Sequence, residues 1–274
     1  MHATPRPDEP QNMSVLIADG SAQIREAARN AVLTAVPTAT VHEAPSGPEA
    51  LALLRGARID ALIIDVALPG MSGIEVVDAA RGEGKSPFLI LTSAFVLPNW
   101  SLLATKLQAY EFMKKPFSGA EIEKMMGNFA RMRLPTTILI ADAGEHSRLM
   151  VRKIIGASRF VTELHETDHG GHALKLTGSH KFDLALVDSN LSGISGLEAA
   201  CQMQGQNPEL NVVMMLPTND RGLGQSLKHL GLSQSLKKPF FTRDVDILLH
   251  TALNLRRPYL MNAMMKAAAT AMAS

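Results

Sequence analysis

The chain has 274 residues, 46% apolar and 19% charged, a length that suits about two globular domains. A single cysteine, Cys201, excludes both an intramolecular disulfide framework and a cysteine-built zinc site, and fits a reducing cytoplasm. A net charge of +1 with 4% aromatics excludes a cationic, ring-lined nucleic-acid groove, and no apolar run approaches the ~18 residues of a membrane helix, so neither nucleic acid nor membrane is an expected partner.

In chain order, residues 1–13 read as a flexible tail, with acids and prolines where a signal peptide would be apolar. Strand-length apolar runs follow, SVLIA, ATVHE, ALIID, FLILT and YEFMK, separated by segments of helical period that begin near Ala22, Gly47, Gly73, Asn99 and Ser118. This alternation is the pattern of a parallel sheet covered on both faces, a doubly wound α/β domain over 14–133. Pro135 stops the last helix and leaves a short linker, 134–136. A second domain over 137–255 has strands ILIAD, TELHE, LALVD, VVMML and SQSLK and helices near His146, Gly170, Gly196, Arg221 and Thr242. The tail 256–274 places Leu260, Met261, Met264, Met265, Ala268 and Met272 at helical spacing, which fits either a short docking helix or an unstructured end.

The two domains are copies of one another, because widely separated residues recur at an offset of 123. Asp19 maps to Asp142, Arg25 to Arg148, Glu43 to Glu166, Asp60 to Asp183, Asp65 to Asp188, Gly73 to Gly196, and Lys115-Pro116-Phe117 to Lys238-Pro239-Phe240. In the first copy Asp19, Asp65 and Thr92 end apolar strands and Lys115 follows another. In a parallel sheet those ends share one edge, where ligands bind near a topological switch point. Taken singly, each acid reads as readily as a helix cap. The same 46-residue and 50-residue gaps in both copies, from Asp19 to Asp65 and from Asp65 to Lys115, favour a shared site.

The strings VLIADGSAQIR, IIDVALPGMSG, LILTSA and MKKPF, in this order, resemble the receiver domain of bacterial response regulators in two-component signalling. The resemblance covers both copies and implies two five-stranded parallel sheets of flavodoxin-like topology in tandem. It further implies a phosphoryl acceptor at Asp65, and at Asp188 in the second copy, supplied by a phosphohistidine on a sensor histidine kinase or a histidine phosphotransfer protein. Thr92 would hydrogen-bond the phosphoryl group, and Lys115 or Lys238 would pair with it. Mg2+ would be held by Asp19, Asp65 and the Ala67 carbonyl, and in the second copy by Asp142, Asp188 and Asn190. Charge building on a transferring phosphoryl group needs such a cation and lysine close by.

Several positions depart from the family pattern. Its two adjacent acids after the first strand are Asp19-Gly20 and Asp142-Ala143 here, so either water replaces one ligand at some cost in affinity or the site has stopped binding metal. The second copy departs further. Its counterpart of Thr92 is Met215, Leu216 or Pro217, with Thr218 the nearest hydroxyl; Ser192 replaces Pro69, and Ser235 replaces the aromatic Phe112. It reads as a partly degenerate receiver.

The leading expectation is a response regulator, not an enzyme, that signals through a downstream protein partner. The alternative is a pseudo-receiver scaffold that works without phosphate. An aspartate-nucleophile phosphatase would need an acid two residues after the nucleophile, where Ala67 and Asn190 stand. His42 and His165, inside second strands, read as structural. Tyr110, Met113, Met125 and Met126 serve either as an apolar patch for weak homodimers or as cover for the sheet.

Overall fold

The computed structural model describes residues 12–95, 100–217, 227, 230–232 and 234–258. It divides into two compact units, one taking residues up to Arg131 together with those from Arg256 onward, the other Met132–Leu255.

In the first unit, β1 (Ser14–Ala18), β2 (Thr40–Ala44), β3 (Ala61–Asp65), β4 (Phe88–Ser93) and β5 (Glu111–Lys114) form one sheet in the order β2-β1-β3-β4-β5. Every pairing is parallel. All five residues of β3 and all six of β4 are buried, which explains why these central strands read as continuous apolar runs. The helices are α1 (Ala22–Ala35), α2 (Gly47–Gly56), α3 (Gly73–Gly82), α4 (Trp100–Lys106) and α5 (Gly119–Arg133). Serines set three of the starts: Ser21, Ser46 and Ser72 each accept a first-turn N–H, and Ser72 and Glu75 close a capping box.

The second unit repeats this plan with β6 (Thr136–Ala141), β7 (Thr162–Thr167), β8 (Leu184–Asp188), β9 (Asn211–Leu216) and β10 (Gln234–Lys237), ordered β10-β9-β8-β6-β7 and again parallel throughout. Its helices are α6 (Glu145–Gly156), α7 (Gly170–Ser179), α8 (Gly196–Gln206) and α9 (Thr242–Ala252). The helix expected near Arg221 lies outside the described residues, as do residues 259–274 of the tail.

Three boundaries need correction. Met13, read as tail, is 2% exposed, and its carbonyl accepts from Thr40, so it belongs to the first domain. Thr136, read as linker, opens β6, because its N–H bonds the Val161 carbonyl; Leu134 and Pro135 alone separate α5 from the sheet. Residues 256–258, read as tail, pack with the first unit. The apolar set also resolves: Tyr110, Met113, Met125 and Met126 are all 6% exposed or less, so they belong to the core and offer no exposed patch.

Candidate functional site

The sheet order places its switch point between β1 and β3, so the carboxyl ends of these strands open one crevice. Asp19 follows β1 and Asp65 ends β3, and both are nearly buried, at 4% and 8% exposed. Lys115 reaches them from beyond β5, anchored by its N–H to the Ser93 carbonyl at 2.7 Å. Its Nζ lies 2.5 Å from Asp19 Oδ2 and 2.6 Å from Asp65 Oδ2. Burial works against the ammonium, yet the bonds from Asp19 and Asp65 outweigh it and hold the lysine above its ordinary pKa. The other carboxylate oxygens meet backbone: Asp19 Oδ1 accepts from Ser21 N–H and Asp65 Oδ1 from Ala67 N–H. Thr92 is 1% exposed and pairs with Asp65 across the ladder between β3 and β4. The peptide bonds Lys115-Pro116 and Lys238-Pro239 are both cis.

The second unit builds a similar cluster with one addition. Lys238 Nζ contacts Asp188 Oδ2, lies 2.7 Å from Asp142 Oδ2, and donates to Ser147 Oγ at 3.1 Å. Ser147 itself donates to Asp142 Oδ2 at 2.6 Å. Burial opposes ionisation of Asp142, but the bonds from Lys238, Ser147 and Gly144 hold its carboxyl below the usual range, while Lys238 is raised despite its own burial. Asn190 N–H donates to Asp188 Oδ1 at 2.8 Å. The counterpart of Thr92 is Met215, which pairs with Asp188 in the same register and is fully buried. Leu216 and Pro217 are thereby excluded, and Thr218 lies outside the described residues.

Sequence reasoning singled out the recurring Arg25 and Arg148 without giving them work. Their guanidinium groups donate to the Asp19 and Asp142 carbonyls at 2.8 and 2.7 Å, and lie 3.2 and 3.6 Å from Glu43 and Glu166. They brace the loop that carries each first aspartate. Asp60 and Asp183 bond Ser14 and Thr137 N–H at the opposite end of the sheets and belong to strand entry. Gly73 and Gly196 recur because a Cβ there would collide with the carbonyl oxygen of Asp65 or Asp188. Ser147 was missed. The signal was present, since its counterpart at the 123 offset is Ile24.

The model for the response regulator receiver domain matches residues 15–127 and again 138–250. The chain belongs to this family and carries two receivers in tandem. It is 29% identical over 125 residues to the response regulator MprA of Mycobacterium tuberculosis, covering 45% of this chain and 53% of that protein. It is 35% identical over 94 residues to the two-component response regulator PhoP of Pseudomonas aeruginosa, covering 33% of this chain and 40% of that one. The chain thus spans about half the length of the curated relatives it matches. A solved probable two-component system response regulator/GGDEF domain protein aligns over 89% of this chain and 98% of its own, with a TM-score of 0.60 at 17% identity, a likeness of fold.

Asp19 Oδ2 and Asp65 Oδ2 face one point, the Lys115 ammonium, so two hard oxygen donors converge. Among the described residues no group of three or more acids, histidines or cysteines is arranged to hold a metal. Two carboxylates fit an ion that keeps several of its waters, and do not form an all-protein cage. Among the described residues no helix is long and apolar enough to cross a membrane.

Proposed function

We propose that the first receiver accepts a phosphoryl group on Asp65 from a phosphohistidine of a sensor histidine kinase or a histidine phosphotransfer protein, and that the modification changes binding of a downstream protein. The observation that carries this reading is the convergence of Asp19, Asp65 and Lys115 at one crevice beside Thr92. An Asp65 oxygen forms the new O–P bond as the P–N bond to the histidine breaks, leaving an aspartyl phosphate and free histidine. Lys115 balances the negative charge on the phosphoryl oxygens, and the Thr92 hydroxyl donates to one of them. Asp19, Asp65 and the Ala67 carbonyl would hold magnesium, which when bound neutralises charge on the same oxygens. Arg25 keeps the Asp19 loop in place.

The second receiver is the less reactive one in this reading. Asp188, Lys238, Asp142 and Asn190 stand in the corresponding places, but Met215 offers no hydroxyl to a phosphoryl oxygen. Its lysine is also held by Ser147 as well as by two aspartates. It serves mainly as a binding surface. A scaffold independent of phosphate is the second reading, supported by Gly20 and Ala143 in place of the family's second acid.

Trp100 provides the test. It is the single tryptophan of the chain, and its ring centroid lies 5.1 Å from that of Phe112 on β5. Beryllofluoride with magnesium, a mimic of the aspartyl phosphate, is expected to change Trp100 emission saturably in the wild type and in Asp188→Asn. Asp65→Asn is expected to show no change. A saturable change that survives Asp65→Asn overturns the assignment.

A further inference from the structure

We infer that the chain's own segment Arg256–Pro258 is a resident ligand of the β5–α5 corner of the first receiver and biases the aromatic pair Trp100–Phe112. This segment follows α9, the last helix of the second unit, yet it belongs to the first. Two contacts hold it. The Arg256 carbonyl accepts from Asn128 Nδ2 of α5 at 2.7 Å, and its guanidinium lies 4.0 Å from Glu111 of β5. Both receiving side chains are built in: Asn128 is 5% exposed and Glu111 is 1% exposed. Pro258 is buried. The Glu121 carboxyl, held below its usual range first by the Ser118 N–H, takes a smaller contribution from the Arg256 charge, so this cation faces acids on both β5 and α5.

The contacts do not end at the surface. Glu111 Oε1 accepts from the backbone N–H of Phe112 at 2.9 Å, and the Phe112 ring packs on Trp100 of α4. Asn128 Nδ2 also donates to the Tyr110 hydroxyl at 3.0 Å, and Tyr110 packs on Phe88 with centroids 4.3 Å apart. Arg256 therefore touches the two groups that fix the residues on either side of Glu111. An engaged segment favours one setting of β5, and its release relaxes that setting. Such a bias needs differential contact in the two states, which the Glu111 bond to Phe112 N–H supplies. The sequence does not announce this, because Arg256 and Glu111 are 145 positions apart, and although Arg256 falls on Arg133 at the 123 offset, Glu111 falls on Gln234.

The inference does not depend on phosphorylation, and its test uses no phosphodonor. Full-length wild type, Arg256→Lys, Arg256→Glu and Asn128→Asp are compared by hydrogen exchange of the 107–114 segment and by Trp100 emission. Arg256→Glu is expected to speed exchange there about threefold to tenfold and to shift the emission, with residues 184–188 of the second unit unchanged. Arg256→Lys is expected to stay near the wild type. Asn128→Asp is expected to act like Arg256→Glu; should that buried substitution unfold the unit, Arg256→Glu decides alone, since the Arg256 side chain is 38% exposed. Unchanged exchange and emission in Arg256→Glu overturn the inference. The same responses in an Asp65→Asn background separate it from the phosphorylation reading.

Discussion

Met215 stands beside Asp188 in the register in which Thr92 stands beside Asp65. A thioether cannot donate a hydrogen bond to a phosphoryl oxygen, so this one exchange removes a donor from the place where negative charge would build. Loss of one such donor slows related reactions about 10²-fold. Phosphorylation of Asp188 is therefore expected to be about 10²-fold slower than that of Asp65, measured by time-resolved mass spectrometry of tryptic peptides with a small phosphodonor. Met215→Thr is expected to recover part of the difference, and equal rates in the wild type would contradict the argument.

Gly20→Asp is expected to tighten magnesium binding by the first receiver. A Cβ at Gly20 meets only Pro69 ring carbons at 3.6 Å, an ordinary contact, so a carboxylate fits where the family usually has its second acid. Titration with magnesium, followed by Trp100 emission, checks this. Identical affinity in variant and wild type would show that the missing acid is not what limits the site.

Lys115→Gln is expected to destabilise the first receiver by about 2–3 kcal/mol, because it leaves two nearly buried carboxylates facing each other without a cation. The folded-state pKa of Lys115 is raised, so its contribution is full below the unfolded lysine value of 10.5 and is lost as pH rises through the higher folded value. The gap between wild type and variant in urea denaturation is therefore expected to persist through neutral pH. It closes only in strongly alkaline solution.

Asp246 on α9 gives a prediction of opposite sign. Burial pushes its carboxyl up to about 6 from 3.8, with Arg159 pulling against that, and among the described residues Oδ1 is buried without a hydrogen-bond partner. An acid raised in the fold lowers stability once it must ionise. The cost is absent below the unfolded value, grows between about 4 and 6, and is full above, at roughly 2–3 kcal/mol. Asp246→Asn is expected to stabilise the second receiver by that order at pH 8, with no gain at pH 4, as read from thermal melts at the two pH values.

Much of this architecture was legible because apolar runs and helix starts are local signals. LALVD matches β8 residue for residue, and SVLIA matches β1. The aspartates and lysines were legible through recurrence, since the same gaps appear in both copies. What the sequence left open was register and contact. VVMML carries no polar marker, so Met215 could be told from Leu216 only by strand pairing or by trusting the offset of 123 from Thr92. Arg256 was missed because Glu111 lies 145 positions away, Ser147 because it stands opposite Ile24 and so does not recur between the copies, and the methionines of α5 read equally as surface or core until their burial was known.

The central claim is that Asp65 is the principal phosphoryl acceptor, and intact-mass analysis after incubation with a small phosphodonor and magnesium tests it most directly. Wild type and Asp188→Asn are expected to gain the mass of one phosphoryl group at similar rates, and Asp65→Asn to show little or no gain over the same interval. A mass gain that survives Asp65→Asn and disappears in Asp188→Asn would contradict the account and move the working site to the second receiver.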